Sequence, residues 1–198
     1  TDSRYTTEAQ KEATHFEVIT PKKRLLETLP HLLDRLGTRN LGFEEDFLTW
    51  KLHRQVSKKL KKLSPPVRLK PFNGLVDRMR DVKERSEIKA IEASADLMSL
   101  ILAEVIADLA PGRTEREIAW QIEGLAREAG AEDLAFPPIV ASGPNSALPH
   151  AVPTNRKILT KEPIILDVGI KIDGYCCDMT RTIFLGRPGP KFRRIYRT

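Results

Sequence analysis

A mixed α/β fold is predicted for this sequence of 198 residues, and three observations predict it. Residues 1–75 alternate short apolar segments with amphipathic helical patterns. Two further helical patterns follow, and the second of them begins at a capping box. From Phe136 onward the helical period gives way to β-forming residues separated by turn signals.

The first region alternates predicted strands and helices. A strand is expected at residues 15–19, a leucine-rich helix at 22–36 ended by Gly37, a strand at 41–43 and a helix at 45–63. The segments 64–66 and 71–74 are rich in turn-forming residues, which marks a boundary. We therefore divide the sequence into one domain at residues 1–75 and a second at 76–198.

The second region opens with a long predicted helix whose apolar residues form one stripe. They are Ile88, Ile91, Ala95, Met98, Ile101, Leu102, Val105 and Leu109, and Pro111 with Gly112 ends the helix. Thr114 and Glu117 form a predicted capping box, because each side chain can bond the backbone N–H of the other residue. The following helix is expected to run to about Ala129 and to stop at Gly130.

Composition indicates an ordinary globular protein, with 40% hydrophobic and 30% charged residues. No apolar run approaches the roughly 20 residues of a membrane helix, and no secretory signal is visible, so no membrane partner is expected. The two cysteines, Cys176 and Cys177, are adjacent in a predicted strand and point to opposite faces, which argues against a disulfide between them. A reducing, cytoplasmic location fits this composition.

The net charge of +6 raises the question of nucleic-acid binding. The densest basic stretch, residues 51–62, also carries apolar residues at helical spacing, so it is interpreted as an amphipathic helix with a solvated basic face. Within that stretch no aromatic residue is interleaved for base stacking. The sequence therefore does not favour nucleic acid as a partner, although a binding role remains the alternative.

Asp167 and Asp178 carry most of the chemical information. Asp173-Gly174, between an apolar run and a β-forming run, is a strong hairpin signal that places the two aspartates on opposite strands. Their odd separation puts both on one face of the hairpin. A four-residue loop would set them directly opposite each other, and a two-residue loop would make them diagonal neighbours.

Two ionised carboxylates in either arrangement repel each other, and a divalent cation between them would remove the repulsion. Oxygen ligands favour hard cations such as Mn²⁺ or Mg²⁺. The alternative is an acidic pair that merely faces water. The apolar residues before Asp167 and the Tyr-Cys-Cys run before Asp178 weigh against it.

His150 lies in a second constellation, residues 141–153, which is rich in Gly, Pro, Asn and Ser and is predicted to be a loop. A single histidine is more often structural than catalytic. A histidine delivered by a shaped loop shortly before an acidic hairpin suits metal-assisted hydrolysis, where it would bind substrate or move a proton.

Residues 139–150, 166–169 and 173–182 together resemble the pita-bread metallopeptidases, in the branch of aminopeptidase P and prolidase. Upstream, residues 1–5 resemble the closing part of a creatinase-type N-terminal domain, and 82–88 resemble the start of a catalytic domain. The resemblance implies a partial creatinase-like α/β domain followed by the first half of a pita-bread domain. Because the front half of the N-terminal domain and the second half of the catalytic domain are missing from the resemblance, and the sequence starts at Thr1, an internal fragment of a longer enzyme is expected.

The resemblance also implies chemistry. In this family two aspartates, a histidine and two glutamates hold two divalent metals, commonly Mn²⁺, with Zn²⁺ or Co²⁺ as alternatives. Asp167 and Asp178 match the two aspartates, and His150 matches a histidine that contacts substrate and assists proton transfer. The implied activity is hydrolysis at Xaa-Pro bonds of proline-containing peptides, through a water activated by the metals.

The other ligands, one histidine and two glutamates, are expected outside these 198 residues, so this chain alone is expected to be inactive. A homodimer of the full-length protein is a family expectation. Two alternatives remain: a methionine aminopeptidase, which shares the catalytic fold, and a non-catalytic pita-bread module that binds protein or nucleic acid. The upstream segment disfavours the first, and the retained Asp167, Asp178 and His150 disfavour the second.

Overall fold

The computed structural model describes residues 3–21 and 24–197. The chain divides into two compact units, of which the first ends at Val82 and the second begins at Lys83. Both units mix helices with strands, as expected from the sequence. Among the described residues, no helix combines the length and apolarity that a membrane crossing requires.

The first unit contains four α-helices and two strands in its described part. They are α1 (Thr6–Glu12), α2 (Leu25–Arg35), β1 (Asn40–Glu44), α3 (Trp50–Leu60), β2 (Arg68–Phe72) and α4 (Leu75–Asp81), after a short 3-10 turn at Ser3–Tyr5. Strands β1 and β2 are parallel, and α3 provides the crossover that parallel pairing needs. A small core of Leu33, Val56, Leu60 and Val67 joins the helices to the strands.

Three sequence-based predictions in this unit have clear outcomes. The strand at 41–43 is confirmed as β1. The strand at 15–19 is wrong: these residues form a turn and irregular backbone, pair with no strand in the described part of the chain, and leave Phe16 78% exposed. Helix α3 begins at Trp50 rather than residue 45, because the Thr49 side chain accepts the Leu52 amide and caps the helix there.

Helix α2 begins at Leu25. The predicted start at residue 22 lies outside the described residues. Residues 1 and 2 of the creatinase-like segment lie outside them as well. The helix ends at Arg35, and Gly37 follows with a φ of 62°, as expected of a glycine that stops a helix. Pro30 lies inside the helix.

The second unit contains three helices and six strands among its described residues. They are α5 (Arg85–Ala107), α6 (Glu115–Glu128), β3 (Asp133–Leu134), β4 (Ile139–Ser142), β5 (Pro163–Val168), β6 (Ile170–Ile172), β7 (Tyr175–Cys176), β8 (Met179–Phe184) and α7 (Pro190–Tyr196). A 3-10 turn at Gly143–Ala147 follows β4. One antiparallel sheet has the order β4-β5-β8, and a smaller one has the order β3-β6-β7.

The core of this unit follows from two periodicities. Helix α5 buries Met98, Ile101, Leu102 and Val105 from its predicted apolar stripe. Strand β5 alternates strictly, with Ile164, Leu166 and Val168 buried and their neighbours half-buried. These side chains pack together with Ile118 and Ile122 of α6 in one cluster. Each such side chain contributes about 1.5–3 kcal/mol by leaving water.

The N-terminus of α6 confirms the predicted capping box. The Glu117 amide donates to the Thr114 hydroxyl at 3.2 Å, and the Thr114 amide donates to the Glu117 carboxylate at 2.7 Å. Helix α6 ends at Glu128, and Gly130 follows with a φ of 91°. Helix α5 ends at Ala107, a few residues before the Pro111-Gly112 stop that the sequence predicts.

The hairpin predicted around Asp173-Gly174 is confirmed, with a two-residue loop. Asp173 and Gly174 have φ angles of 48° and 79°, which a type I′ turn requires at both central positions. Ile172 pairs with Tyr175 next to the turn, and Asp167 pairs with Thr180 at the far end, so one register runs through the hairpin. Of the two loop lengths left open by the sequence, the structure has the shorter.

Gly169 lies between β5 and β6, against the backbone of the opposite hairpin strand. A Cβ atom at this position would overlap with the carbonyl oxygen of Cys177 and would lie 2.9 Å from the Phe136 ring. The Cys177 amide donates to Ile170 O at 3.0 Å, so the Cys177 backbone is held in place. Only a glycine fits here without a shift of backbone.

We expect Gly169→Ala to destabilise the protein by about 1–3 kcal/mol, because the clash is with backbone and no rotamer relieves it. Gly124→Ala is the matched control. It lies inside α6, and the methyl group that alanine adds there meets no atom within 4 Å, so it should stabilise by about 0.5–1 kcal/mol. Urea unfolding of the three proteins measures both changes, and a Gly169→Ala protein as stable as the original would contradict the close approach.

Candidate active site

Asp167 lies on the face of β5 that points away from the apolar core. The residues on either side of it, Leu166 and Val168, are buried, whereas Asp167 itself is half-buried. Its Oδ1 atom accepts a hydrogen bond of 2.6 Å from the hydroxyl of Thr180, the residue opposite it on β8. This cross-strand bond restrains one carboxylate oxygen and leaves the other available.

Asp178 lies in the short gap between β7 and β8, and its side chain is exposed. The flanking Cys177 is buried and Met179 is half-buried and packs on the core, so Asp178 points to the opposite, outward face. The hairpin register sets it across from Gly169, two positions from Thr180. Asp167 and Asp178 are therefore diagonal neighbours on one face, with Cβ atoms on the order of 7 Å apart.

The two cysteines confirm the alternation in the same segment. Both are free thiols; Cys176 is exposed and Cys177 is buried. The Cys177 thiol donates to Ser94 O at 3.3 Å, which ties the hairpin to α5. The absence of a bond between adjacent cysteines agrees with their opposite directions.

The aspartate pair has the donor chemistry of a hard divalent cation. Carboxylate oxygens are ligands that Mn²⁺ and Mg²⁺ accept. Neither carboxylate forms an ion pair with a described lysine or arginine. In residues 3–21 and 24–197, however, no group of three or more His, Cys, Asp or Glu side chains is arranged to hold a metal. The pair therefore fits part of a metal site.

His150 is exposed, in the loop that follows β4 and its 3-10 turn. Strand β4 runs antiparallel to β5, so Ile139 pairs with Asp167 and Ser142, where the loop begins, pairs with Ile164. The loop thus leaves the sheet at the end of β5 away from Asp167. The structure brings the two aspartates together, and it shows no hydrogen bond between His150 and either of them.

Glu115 is a functional candidate that the sequence reasoning missed. It is the first residue of α6 and is completely buried. Its carboxylate accepts six hydrogen bonds: from the amide and the hydroxyl of Ser142 at 2.8 Å each, from the Asn145 side-chain amide at 3.1 Å to both oxygens, and from the amide and the hydroxyl of Thr154 at 3.1 and 2.6 Å.

These hydrogen bonds explain how a charged carboxylate is tolerated in the interior. Burial raises the pKa of Glu115, but the bonds from Thr154 and Ser142 outweigh it and leave the pKa below its ordinary value. Glu115 is therefore ionised at neutral pH. The donors are Ser142, the last residue of β4, and Asn145 and Thr154 in the connection from β4 to β5, so the charge at the start of α6 organises the loop that carries His150.

An ion pair between Arg156 and Glu162 also contacts the start of the same loop. The Arg156 guanidinium donates to both oxygens of Glu162 at 2.6 and 2.7 Å and to the Ser142 hydroxyl at 2.6 Å. These hydrogen bonds lower the pKa of Glu162, against the opposing effect of burial. The Ser142 hydroxyl thus accepts a hydrogen bond from Arg156 and donates one to Glu115. Through this hydroxyl and the Arg156 guanidinium, the carboxylates of Glu115 and Glu162 belong to one hydrogen-bond network.

The sequence carries little signal for Glu115. Acidic residues are common in the first turn of a helix, where they favour the helix dipole and face water. Glu115 and Glu117 stand two residues apart in the same capping segment and differ in that the structure buries only the first. The surplus of Ser, Asn and Thr donors at 142, 145 and 154 is the trace that a buried acceptor leaves in the sequence.

Comparison with known proteins gives consistent matches along the chain. A family model described as metallopeptidase family M24 matches residues 89–198, and one described as creatinase/prolidase N-terminal domain matches residues 1–82. The expected architecture, a creatinase-like N-terminal domain followed by part of a pita-bread domain, is confirmed by these matches and by the structural similarity described next.

The uncharacterized peptidase YqhT of Bacillus subtilis is 32% identical over 196 residues, which are 99% of this chain and 54% of that protein. The structure of an Xaa-Pro dipeptidase from Bacillus anthracis matches with a TM-score of 0.92 at 34% identity, over 100% of this chain and 54% of that one. An X-Pro aminopeptidase from Thermotoga maritima matches with a TM-score of 0.86 at 31% identity, over 99% and 55%. The chain thus spans about half the length of these relatives.

The Arg156–Glu162 pair makes a prediction about pH. Because the folded pKa of Glu162 lies below the unfolded value of about 4.3, its stabilisation is present above that pH and is lost as the pH falls through the folded pKa. We expect the free energy of unfolding, measured in urea from about pH 7 to about pH 3, to fall less in Glu162→Gln than in the original protein.

Glu128→Gln is the control for that measurement, since Glu128 is exposed and its side chain has no hydrogen bond or ion pair within the described chain. It should follow the original pH curve. Glu115 remains in Glu162→Gln and keeps part of the acid sensitivity, so the curve should flatten without becoming level. A Glu162→Gln curve parallel to the original would contradict the assignment.

Proposed function

Since the chain belongs to metallopeptidase family M24, we propose that it forms part of a metal-dependent exopeptidase that hydrolyses Xaa-Pro bonds at peptide N-termini. The observation that carries the proposal is the pair Asp167 and Asp178. By the hairpin register they are diagonal neighbours on its outward face, and neither has a basic partner among the described residues. Such a pair is stabilised by a divalent cation.

Asp167 and Asp178 would hold the metal ions, which when bound activate a water molecule and polarise the scissile carbonyl. Thr180 orients Asp167 by occupying one of its oxygens, and so fixes the direction of the other. His150, exposed on its loop, would contact the substrate and move a proton during bond cleavage. We propose two metals, with Mn²⁺ first and Zn²⁺ or Co²⁺ as alternatives.

The chain supplies two of the five ligands that the family uses, so the complete site is proposed to need one histidine and two glutamates from sequence beyond these 198 residues. The comparisons support this interpretation, because the chain covers about half of its relatives. The relatives include both a dipeptidase and an aminopeptidase, so the length of peptide accepted is left open between these two. A cytoplasmic homodimer completes the proposal.

In the full-length protein, we expect Asp178→Ala to reduce Mn²⁺-dependent cleavage of an Xaa-Pro peptide by about 1,000-fold or more, because metal binding supplies several kcal/mol of transition-state stabilisation. Asp173→Asn is the matched control. It removes a carboxylate from the same hairpin, and asparagine tolerates the positive φ of the turn. Turnover should persist in the control, and an active Asp178→Ala enzyme would refute the metal role.

The 198-residue chain alone should bind Mn²⁺ weakly in a calorimetric titration and should not cleave Xaa-Pro peptides, because two carboxylates cannot organise two metals. The full-length protein in the same buffer is the positive control. Mn²⁺-dependent cleavage by the isolated chain, abolished by Asp178→Ala, would show that the ligand set assumed here is wrong.

A further inference from the structure

The Glu115 carboxylate holds both ends of the loop that carries His150. We call residues 142–154 the His150 loop. Ser142 and Asn145 bind the carboxylate from its first half, and Thr154 binds it from its last residue. The buried carboxylate therefore bridges the two ends of the loop, alongside the hydrogen bond from Arg156 to Ser142, and His150 lies between those ends.

The backbone at the start of α6 strengthens the same closure. The Glu115 amide donates to Arg156 O and the Arg116 amide donates to Thr154 O, each at 3.1 Å. These are two of the N–H groups that the first turn of a helix cannot use internally. The last part of the loop is thus fixed to α6 by backbone bonds, and the Glu115 side chain adds the connection to its first part.

Between these anchors the loop has little support of its own. Residues 147–150 are exposed, and the hydrogen bond that the structure shows there is a local one, from the Leu148 amide to Asn145 O at 3.0 Å. Ala151, next to His150, is buried. The placement of His150 therefore depends mainly on how firmly Ser142, Asn145 and Thr154 are held.

We propose that Glu115 is a positioning residue of the peptidase: its buried carboxylate, bound by Ser142, Asn145 and Thr154, fixes the His150 loop in the conformation in which His150 meets the substrate. This inference rests on the proposed function for its catalytic consequence. Its structural half, that Glu115 orders the loop, stands independently of any activity.

The chemistry of the partners explains why a carboxylate is required. Five donor groups converge on the two oxygens: the amides of Ser142 and Thr154, their hydroxyls, and the Asn145 side chain. Glutamine has the same shape but offers one oxygen, and its NH₂ group would face hydrogen-bond donors in place of an acceptor. Glu115→Gln therefore changes loop order with little change in volume.

The test uses the full-length protein and a double-mutant cycle. We expect Glu115→Gln to lower kcat/KM for an Xaa-Pro peptide by about 10–100-fold, because a misplacement of about 1 Å at a site can cost on the order of 100-fold. In a His150→Ala background the same change should cost less than about 3-fold, since Glu115 acts through His150. An equal loss in both backgrounds overturns the proposal.

Glu117→Gln controls for a general loss of helix stability. It removes a capping carboxylate from the same turn of α6 without touching the His150 loop. We expect it to lower the unfolding free energy while kcat/KM stays near that of the original protein. If Glu117→Gln at comparable stability reproduces the kinetic loss, the role of Glu115 is only structural and the proposal fails.

Hydrogen exchange supplies a readout that needs no activity. In Glu115→Gln the amides of residues 142–154 should exchange faster, and those of β5 and α5 should not. Unchanged exchange in the loop overturns the positioning role even if kinetics change. If the original full-length protein does not cleave Xaa-Pro peptides, the proposed function is refuted instead. The hydrogen-exchange result then still tests whether Glu115 orders the loop.

A milder pair of variants guards against misfolding of Glu115→Gln. Thr154→Val removes the hydroxyl that donates to Glu115 at 2.6 Å, and Thr154→Ser keeps it. We expect Thr154→Val to show faster loop exchange and reduced kcat/KM, and Thr154→Ser to restore both toward the original values. Equal behaviour of the two variants would count against the carboxylate network.

Discussion

The positive φ angles of Asp173 and Gly174 fix the register of the hairpin, and both faces of the second unit follow from that register. A slip of one residue in a strand moves every side chain to the opposite face. With the two-residue turn, Leu166 and Val168 point into the core and Asp167 points out toward Asp178. The same turn therefore decides the packing of the core and the pairing of the two carboxylates.

The register also connects the hairpin to the His150 loop. Strand β5 pairs on one side with β8 and on the other with β4, which ends at Ser142. Ser142 is both the last residue of that strand and the first donor to Glu115. The sheet and the weakly supported loop thus meet at Ser142, whose amide and hydroxyl both donate to the buried Glu115 carboxylate. The position of the sheet therefore sets where the loop begins.

The parts of this molecule that the sequence predicts are those governed by local chemistry. The Asp-Gly turn, the Thr114 capping box and the apolar stripe of α5 each depend on residues that are near one another in the chain, and each is present. The predicted strand at 15–19 failed because alternation alone does not supply a partner strand or a surface to cover Phe16. Tertiary context decides such short segments.

Glu115 could not be predicted for a related reason. Its burial depends on donors that lie 27 to 39 residues away along the chain, and no local pattern marks it as buried. The relative direction of His150 and the aspartates was equally out of reach, because it depends on which end of β5 the loop leaves. The sequence shows which residue types are present. Only the fold shows which residues, distant along the chain, lie close together.

The second unit contains two kinds of acidic side chain, which differ in burial and in the hydrogen bonds that they accept. Glu115 is buried, and both of its carboxylate oxygens accept hydrogen bonds from the loop. It is therefore bound to the loop and not open to a ligand. Asp167 has a single hydrogen bond, from Thr180, and Asp178 has none from the described residues. For two unit charges about 7 Å apart, which is about the separation of the two Cβ atoms, the repulsion is about 0.6 kcal/mol in water and about 2.4 kcal/mol at an effective dielectric constant of about 20.

That repulsion is small enough for the folded chain to tolerate, because a hairpin of this length is fixed by its turn and by the apolar residues on its inner face. It would disappear, and change to attraction, when a divalent cation occupies the space between the carboxylates. Glu115 has its charge satisfied by hydrogen bonds within the chain, whereas Asp167 keeps one carboxylate oxygen, and Asp178 both, without a hydrogen bond from the described residues. That difference in hydrogen bonding is the physical reason for proposing Glu115 as a positioning residue and the two aspartates as metal ligands.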